Sequence, residues 1–514
     1  MKRIFLSLSL FAALTVAADT RIMVIADPHV METSLFDDGS AATKMCEANP
    51  RVPEHSMFLF DSAISVVADS CPDLLFIVGD LANEGEKVSH EHIVAQLTKL
   101  AELGIQTLVI PGNNDIANPN AKSYSGSSSA AVPSVTAEEF ESLYADFGFK
   151  QAVMREEGGL SYMVYPNDRL AVICLNSAKE NTPTTQYNAG GLYEETLAFA
   201  EQAAAKAKAD YRMIITLMHH QAMNHFNLES TMTPGYVANT GDEYPSLIEM
   251  QDRLFAAGCQ VIFTGHFHMN SISRVDIVLD GERALFDVST GSLSSYPSPV
   301  RSMNLADTGI LTITTETIDT YHALEMERNK NTAKGLVNTM ASKMYPYVDT
   351  VKNKMPTVAA YLNLPASVSA MSTDMQKYML EPLLVMVNEL AAGDEHLYDP
   401  ETKLQDVMTG YDNYISYVCK DNATIIALVK VPLAAPRLIL QNMCKSVFYN
   451  YVGLDETDVV EDNSNMIIID ANAKPSAVET TLAPDTATRK ELINGVLYIQ
   501  RNGERYTTTG VRVE

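Results

Sequence analysis

The chain has little positive charge. Its 514 residues include 37 Lys and Arg against 64 Asp and Glu, which gives a formal net charge of −27. A surface of this sign repels phosphate groups and forgoes the counterion release that drives non-specific nucleic-acid binding. The composition therefore argues against nucleic acid as a partner, and it disfavours an anionic membrane surface for the same reason.

Beyond its first residues, the chain also lacks an apolar run of the length that a membrane span needs, about 20 residues. The most apolar later stretch, residues 424–443, contains Lys430, Pro432, Pro436 and Arg437, which are costly in lipid. We therefore expect no integral membrane segment in the mature protein.

The N-terminal residues have the pattern of a secretory signal peptide. Lys2 and Arg3 precede an apolar run over residues 4–16, and small residues stand at the end of this segment. We predict a signal peptide over residues 1–18, cleaved after Ala18, and an exported protein that is periplasmic, on the cell surface or secreted. The alternative is a terminal helix that packs into a core.

Cysteines are few, and their placement is not that of a small disulfide scaffold. Cys174 lies inside an apolar run and Cys259 stands just before another, which predicts buried thiols. The other four form two possible pairs, Cys46 with Cys71 and Cys419 with Cys444, and the sequence leaves both open.

Hydrophobic patterning predicts an α/β domain over residues 19–320, because short runs rich in Ile, Val and Leu alternate with helical patterns. The predicted strands are residues 22–26, 74–78, 107–110, 170–175, 212–217, 261–264, 284–288 and 310–314. Helical spacing of apolar residues covers 57–67, 93–103, 192–208 and 247–257. The stretch 123–134 is rich in Ser, Ala and Gly and is predicted to be a loop.

The pattern changes after residue 320. Long helical periods predict a mainly helical domain over residues 321–465, which carries no catalytic signature and could shape substrate choice at a domain interface. Residues 466–488 are predicted to be a linker rich in Ala, Thr and Pro. Residues 489–514 are predicted to form a short C-terminal β hairpin with a turn at Asn502-Gly503.

Side chains of the types that bind metals follow five of the predicted strands. They are Asp27 and His29 after the first strand, Asp80 after the second, Asn113 after the third, His219 after the fifth, and His266 with His268 after the sixth. In an open α/β sheet, the loops at the carboxyl ends of the strands converge on one crevice. We therefore expect these seven side chains to meet.

Carboxylates, imidazoles and an amide oxygen suit Zn, Fe or Mn. Seven donors exceed what one catalytic ion uses, and they fit two ions about 3.5–4 Å apart that share one carboxylate. Gly79, Gly112 and Gly265 precede the ligand-bearing turns, where the absence of a Cβ allows a sharp turn. Each segment alone also fits a helix cap, a surface pair or a hydrogen-bonded strand end, so the prediction rests on the set.

The order of these motifs resembles that of the calcineurin-like metallophosphoesterase superfamily, whose pattern is D-x-H, G-D, G-N-H-D or G-N-H-E, a later H, and G-H-x-H. The resemblance covers about residues 21–319. It implies a four-layer α/β/β/α sandwich. Residues 85–90 (GEKVSH) and 290–297 (TGSLSSYP) resemble one exported bacterial branch of the superfamily.

The resemblance also implies roles for the seven residues. Asp27, His29 and His268 would hold a first metal ion and Asn113, His219 and His266 a second, with Asp80 between them. Two divalent or trivalent ions, Mn, Fe or Zn, are then the cofactors. The reaction would be in-line attack of a metal-bound hydroxide on a small-molecule phosphomonoester or phosphodiester.

One position departs from the family pattern. Asn114 stands where the third motif usually has histidine, and it is followed by Asp115 in the expected place. That histidine ordinarily protonates the leaving oxygen, which an amide cannot do, and loss of a general acid costs about 10²–10⁴ in rate. His220 or His225 could take the role, with His220 preferred, or the substrate could have a good leaving group.

This departure keeps two other functions open. One is a metal-containing binding protein with impaired turnover, and the other is a nuclease, which the net charge disfavours.

Overall fold

The computed structural model describes residues 19–49, 51–225, 235–278, 282–295, 298–306 and 309–318, five residues between 405 and 416, and strands between residues 466 and 513. The chain divides into two units. One comprises residues 1–277 and 284–472, and the other comprises residues 278–283 and 473–514.

The described strands are, in chain order, β1 (Thr20–Ile25), β2 (Leu74–Val78), β3 (Gln106–Ile110), β4 (Lys122–Ser125), β5 (Ser128–Ala131), β6 (Met154–Arg155), β7 (Tyr162–Val164), β8 (Leu170–Cys174), β9 (Met213–Leu217), β10 (Val261–Thr264), β11 (Ser271–Val278), β12 (Glu282–Ser289), β13 (Pro299–Leu305), β14 (Ile310–Thr317), β15 (Met466–Asp470), β16 (Arg489–Ile493), β17 (Val496–Arg501), β18 (Glu504–Thr507) and β19 (Arg512–Val513). The described α-helices are α1 (Ser40–Ala48), α2 (Pro53–Ser70), α3 (Lys87–Glu102), α4 (Ala137–Leu143), α5 (Glu194–Ala209) and α6 (Leu247–Ala257).

Two large sheets form the frame of the first unit. One has six strands in the order β15-β14-β13-β1-β2-β3, and the other has seven in the order β11-β12-β10-β9-β8-β7-β6. Strands β1, β2 and β3 run parallel to one another, as do β8, β9, β10 and β12. Ile25 pairs with Ile77 and Ile77 with Val109, so the first three strands end level with one another. Their carboxyl ends therefore present three loops at one edge.

The side chains of β8 show how the layers stack. Val172 and Cys174 belong to the core that contains β1, β2, β3 and the inner faces of α2 and α3, whereas Ala171 and Ile173 pack with the apolar faces of α5 and α6. Successive strand residues point to opposite faces, so the second sheet lies between the first sheet and the α5/α6 layer. The arrangement is the predicted α/β fold with two sheets flanked by helices.

One prediction within this unit is wrong, and one cysteine pairing that the sequence left open is not formed. The stretch 123–134 is not only loop, because β4 and β5 form an antiparallel hairpin with Gly126 in its turn at φ 58°. Cys46 and Cys71 are free thiols, the first half-buried and the second exposed. Cys174 and Cys259 are buried thiols as expected, while Cys419 and Cys444 lie outside the described residues.

The predicted linker begins too early, since its first five residues are β15, which pairs antiparallel with β14 in the register Leu311 to Ile469. The run Ile467-Ile468-Ile469 gives this segment the β-branched composition of a strand.

In the second unit β16–β19 form a four-stranded antiparallel sheet. Arg501 pairs with Glu504, so the strands on the two sides of the predicted turn are paired, while Asn502 and Gly503 lie outside the described residues. The predicted hairpin is thus β17 and β18, extended by a strand on each side. Most of the predicted helical domain, residues 321–465, lies outside the described residues, as does the predicted signal peptide. Among the helices that the structure does describe, none combines the length and the apolarity of a membrane span.

Candidate metal centre

The seven predicted ligand residues all lie at the carboxyl ends of strands in the two sheets. The turns after β1 and β2 are joined by backbone hydrogen bonds, in which the Asp27 N–H donates to the Gly79 carbonyl (3.2 Å) and the His29 N–H to the Asp80 carbonyl (3.0 Å). Across the two sheets, the His219 ring donates to the Val78 carbonyl at the end of β2. The loops are therefore tied together independently of any bound ion.

Five of the seven residues adopt left-handed backbone. This conformation costs about 1–3 kcal/mol for a non-glycine residue and clusters at functional sites. The residues and φ values are Asp27 (48°), His29 (44°), Asp80 (50°), His266 (67°) and His268 (62°). Backbone strain occurs in three of the loops that carry these residues. It indicates that the fold holds the residues in a conformation that their own backbone preference disfavours.

Glycines beside the ligands are required by close approach as much as by backbone freedom. Gly79 has φ 80°, and a Cβ there would also overlap the His219 ring. The φ of Gly112 is not in the left-handed region, but a Cβ on this residue would overlap the Asp80 carboxylate and the Asp80 backbone N. A Cβ on Gly265 would likewise overlap the Asp27 carboxylate. The predicted role of these glycines in sharp turns holds for Gly79, whereas the other two provide space.

One group of potential ligand atoms contains Asp27, His29, Asp80 and His268, all within 4.8 Å of one another. His29 Nε2 lies 3.0 Å from His268 Nε2 and 3.7 Å from Asp80 Oδ2. His268 Nε2 lies 3.5 Å from Asp27 Oδ1. The Asp27 carboxylate accepts from the His266 backbone N–H (2.9 and 3.0 Å), which fixes its orientation.

A second group contains Asp80, His219 and His266. His219 Nε2 lies 3.4 Å from Asp80 Oδ2 and 3.2 Å from Asn113 Oδ1, so Asn113 joins this group. Asp80 is common to both groups, as predicted for a carboxylate between two ions. The structure thus brings all seven residues together.

The chemistry of this donor set fits cations. His219 Nδ1 lies 2.9 Å from the Val78 carbonyl and must donate to it, so Nε2 is the ring nitrogen that faces the Asn113 and Asp80 oxygens and the one that a cation would bind. His266 Nε2 is buried without a hydrogen-bond partner among the described residues. Converging lone pairs and an unsatisfied imidazole nitrogen are favourable around a positive ion and costly without one.

The pKa values of the clustered side chains are shifted by burial and by the charges of their neighbours. Burial opposes charge on His219, but the carboxylates of Asp80 and Asp27 outweigh it and raise the pKa of His219 to about 9. Burial likewise opposes ionisation of Asp80, yet His219 and His29 hold the pKa of Asp80 well below its usual range. Burial and the neighbouring His220 lower the pKa of His266 well below 6.5. The carboxylates of this site therefore demand a compensating positive charge.

Asn114 binds the shared carboxylate instead of facing an open space. Its backbone N–H donates to Asp80 Oδ1 (2.8 Å) and its side-chain amide to Asp80 Oδ2 (2.5 Å). Its side-chain oxygen accepts from the Gln186 amide. Since both ends of the Asn114 amide are engaged, this residue orients Asp80.

Asp115 and His220 do not have the catalytic geometry predicted for them. The Asp115 carboxylate accepts from the Gly112 N–H (2.7 Å) and the Ala82 N–H (2.9 Å), so both its oxygens hold backbone turns. His220 Nε2 lies 3.0 Å from the Asn188 carbonyl and Nδ1 lies 2.9 Å from Ser177 Oγ. Burial lowers the pKa of His220 to about 3, so the ring is neutral at pH 7, and its single N–H is held by the Asn188 carbonyl and is not directed at a leaving group.

His225, the second residue considered as an acid, lies against another carboxylate. Its Nε2 is 3.3 Å from Asp287 Oδ2, and both side chains are fully buried. The same Asp287 oxygen accepts from the Ala222 N–H, so this pair supports the chain after His220. Among the described residues, neither candidate imidazole takes the position that Asn114 leaves.

Three residues beside the centre were not identified from the sequence as part of the site. Arg51 Nη1 lies 2.6 Å from His29 Nδ1, Gln186 donates to Asn114, and the Tyr236 ring lies 4.8 Å from the His266 ring. All three stand in loops and outside any motif. Arg51 is the only Lys or Arg between Lys44 and Lys87, which is the one signal that could have drawn attention to it.

Comparison with known proteins agrees with this geometry. Residues 20–270 match the family model of the calcineurin-like phosphoesterases. No curated protein sequence matches the chain.

Solved structures with similarity include a dimetal phosphatase from Danio rerio, which is 10% identical with a TM-score of 0.39 over 58% of this chain and 96% of that chain. The structure of PhoD is 10% identical with a TM-score of 0.35 over 58% of this chain and 66% of that chain. A third, the protein TT1561 of Thermus thermophilus, is 11% identical with a TM-score of 0.30 over 59% of this chain and 100% of that chain. At these values the structural similarity carries no argument about function.

Proposed function

We propose that this protein is an exported phosphoesterase that depends on two metal ions and hydrolyses a phosphomonoester or a phosphodiester. The observation that carries the proposal is the shared position of Asp80 between two groups of buried ligand atoms. Asp27, His29 and His268 would hold one ion and Asn113, His219 and His266 the other. When bound, such ions supply Lewis acidity that activates water and neutralises phosphoryl charge.

The chain's own residues prepare the site for this chemistry. Val78 fixes the His219 tautomer so that Nε2 faces the cluster. Asn114 orients the Asp80 carboxylate, and the His266 N–H orients that of Asp27. Preorganised ligands of this kind need little rearrangement when substrate binds.

The proposal is tested by assaying the purified full-length protein with added Mn²⁺ or Zn²⁺ on aryl phosphates and their diesters. We expect hydrolysis by the wild type and background rates for Asp80→Ala, which removes the shared ligand. Asp61→Ala, on the surface of α2, is the matched control and should retain full activity. Wild-type protein that binds metal and hydrolyses neither class would refute the enzymatic function.

Asn114 favours one alternative, a metal-containing binding protein with impaired turnover. Its amide is held by Asp80 and Gln186, and neither His220 nor His225 is placed to donate a proton in its stead. This alternative predicts bound metal together with negligible hydrolysis even of esters with good leaving groups. The phosphoesterase proposal predicts that good leaving groups are hydrolysed and that the rate falls steeply as the leaving group becomes more basic.

Export is part of the same proposal and is supported by the N-terminal signal pattern. Cleavage after Ala18 would leave β1 intact, because this strand begins at Thr20. N-terminal sequencing of protein recovered from the expressing cells should then begin at Asp19.

Membership of the exported bacterial branch is part of the proposal and rests on the sequence of two segments, residues 85–90 and 290–297, each of which contacts a turn that carries candidate ligands. Ser292 Oγ donates to the Asp27 carbonyl (2.7 Å), and His90 Nε2 contacts the Asp115 carbonyl (3.1 Å). Both segments thus support ligand-bearing turns.

A further inference from the structure

The structure places a guanidinium at the rim of the candidate metal centre. Arg51 lies between α1 and α2, and only 12% of its side chain is exposed. The backbone on each side is fixed, because the Arg51 N–H donates to Asn49 Oδ1 (3.0 Å) and the Val52 N–H to the Ser294 carbonyl (3.1 Å). Arg51 is therefore held by the fold and does not reach in from a free surface.

One edge of the guanidinium is anchored by protein groups. Nε donates to Asn49 Oδ1 (3.1 Å), and Nη2 donates to Glu84 Oε1 (3.2 Å). The Asn118 amide donates to the other oxygen of Glu84 (3.0 Å), so this carboxylate is itself held in place. These contacts fix the orientation of the guanidinium plane.

The remaining nitrogen, Nη1, points at the cluster. It lies 2.6 Å from His29 Nδ1 and 3.3 Å from His29 Nε2, the nitrogen that faces Asp80 and His268, and it makes one long hydrogen bond, of 3.5 Å, to the Asn83 carbonyl. An imidazole that binds a cation through Nε2 carries its proton on Nδ1 and cannot accept from an arginine. In the metal-loaded site Nη1 therefore loses this acceptor while it stays beside two positive ions.

The complement of such an arrangement is an anion with several oxygens. A guanidinium and two cations around one point repel each other unless negative charge lies between them, and Arg is suited to phosphoryl oxygens through its rigid, multiply donating plane. A terminal phosphomonoester presents three free oxygens and carries about one more negative charge than a diester, which presents two.

We propose that Arg51 binds a terminal phosphoryl oxygen of the substrate and selects phosphomonoester dianions over diesters. This inference rests on the proposed function, since it names the substrate class of the same site. Glu84 and Asn49 act as positioning residues that aim the guanidinium.

The test compares wild type, Arg51→Gln and Arg51→Lys as full-length, Mn²⁺-loaded proteins. Arg253→Gln is the matched control, because Arg253 also pairs with carboxylates, Glu201 and Glu194, but on the outer helices α5 and α6. Three quantities are measured: metal content, affinity for inorganic phosphate by calorimetry, and kcat/KM for 4-nitrophenyl phosphate and for bis(4-nitrophenyl) phosphate.

We expect Arg51→Gln to retain its metal and to bind phosphate roughly 30- to 100-fold more weakly, as loss of a charge-assisted contact implies. Its kcat/KM should fall by about 10²–10³ for the monoester and less than about 10-fold for the diester. Arg51→Lys should recover part of the phosphate affinity, and Arg253→Gln should match the wild type throughout.

Equal phosphate affinity in wild type and Arg51→Gln would overturn the inference, as would equal losses on both esters. Loss of metal from Arg51→Gln and Arg51→Lys alike would also overturn it, since Arg51 would then serve only to support His29. If the wild type hydrolyses neither ester but binds phosphate through Arg51, the proposed hydrolysis fails and the anion site stands. If the wild type hydrolyses the esters and Arg51→Gln is unaffected, the proposed hydrolysis stands and the inference about Arg51 fails.

Discussion

Glu86 shows how burial near the candidate centre changes the pKa of a single carboxyl group. Only 1% of this residue is exposed, and its carboxylate accepts a hydrogen bond from the Glu84 N–H (2.9 Å). Burial raises the pKa of Glu86 to about 7. Because the folded state disfavours the ionised form, this residue destabilises the protein as pH rises from the unfolded-state value near 4.5 towards 7.

Glu86→Gln should remove this dependence while keeping an oxygen that can accept from Glu84. At pH 8 we expect the variant to be more stable than wild type by about 2–3 kcal/mol, and at pH 4 the difference should nearly vanish. Urea unfolding at both pH values measures the effect. Glu91→Gln, exposed on α3, should show no such trend, and equal stability of Glu86→Gln and wild type at pH 8 would contradict the explanation.

Single residues also show what the sequence could predict of the site. The seven candidate ligand residues were identifiable because each follows an apolar strand, and the topology then brings them together. Asn114 was recognisable as a departure, but its hydrogen bond to Gln186 depends on a loop 72 residues further along the chain. Arg51 could not be assigned, since only the tertiary fold places it against His29.

The Asp115 side chain bridges the turn after β3 and the turn after β2. The Asp115 carboxylate accepts from the Ala82 N–H and the Gly112 N–H, one on each turn. These turns carry Asp80 and Asn113, so Asp115 controls the separation of ligands from both groups. Burial and the nearby Asp80 raise the pKa of Asp115, while its two backbone hydrogen bonds oppose this shift.

Asp115→Asn should loosen this connection, because an amide offers one acceptor and places a donor against a backbone N–H. We expect a loss of about 1–3 kcal/mol in the free energy of unfolding, together with weaker metal binding. Denaturant titration and metal-binding calorimetry measure the two effects. Asp146→Asn, in an exposed pair with Lys150, should change stability by less than about 0.5 kcal/mol.

Strands and helices with strong apolar periodicity were predicted well from the sequence. β2, β10 and α6 have the predicted bounds, and α2 and α3 extend beyond their predicted cores. The hairpin β4–β5 escaped prediction because its Ser, Ala and Gly residues have low strand propensity and are mostly exposed. Its pairing depends on contacts with α1 and on Asp37, which accepts from the Gly126 N–H.

At the scale of the whole molecule, the candidate centre joins two sheets that share one core. Ligands from the first sheet are Asp27, His29, Asp80 and Asn113, and those from the second are His219, His266 and His268. Bound ions would therefore cross-link both halves of the domain. Since ligand binding to the native state alone stabilises it, metal should contribute to global stability.

Removal of metal by a chelator should lower the unfolding midpoint of the wild type by roughly 5–15 °C, which corresponds to ion concentrations about 100- to 1,000-fold above the dissociation constant. Readdition of Mn²⁺ or Zn²⁺ should restore it. Asp80→Asn provides the control, because a protein without the shared carboxylate should melt at one temperature with or without chelator. A wild-type midpoint that is indifferent to chelation would count against the centre.

The position of β1 has a consequence for how the protein is made. This strand lies between β13 and β2, and Thr20 pairs with Leu305. During synthesis the first strand therefore emerges long before one of its neighbours, and His268 emerges long after Asp27. The domain completes its sheet only when most of it has left the ribosome. For the exported protein proposed above, the metal bound would then be set by the compartment in which folding is completed.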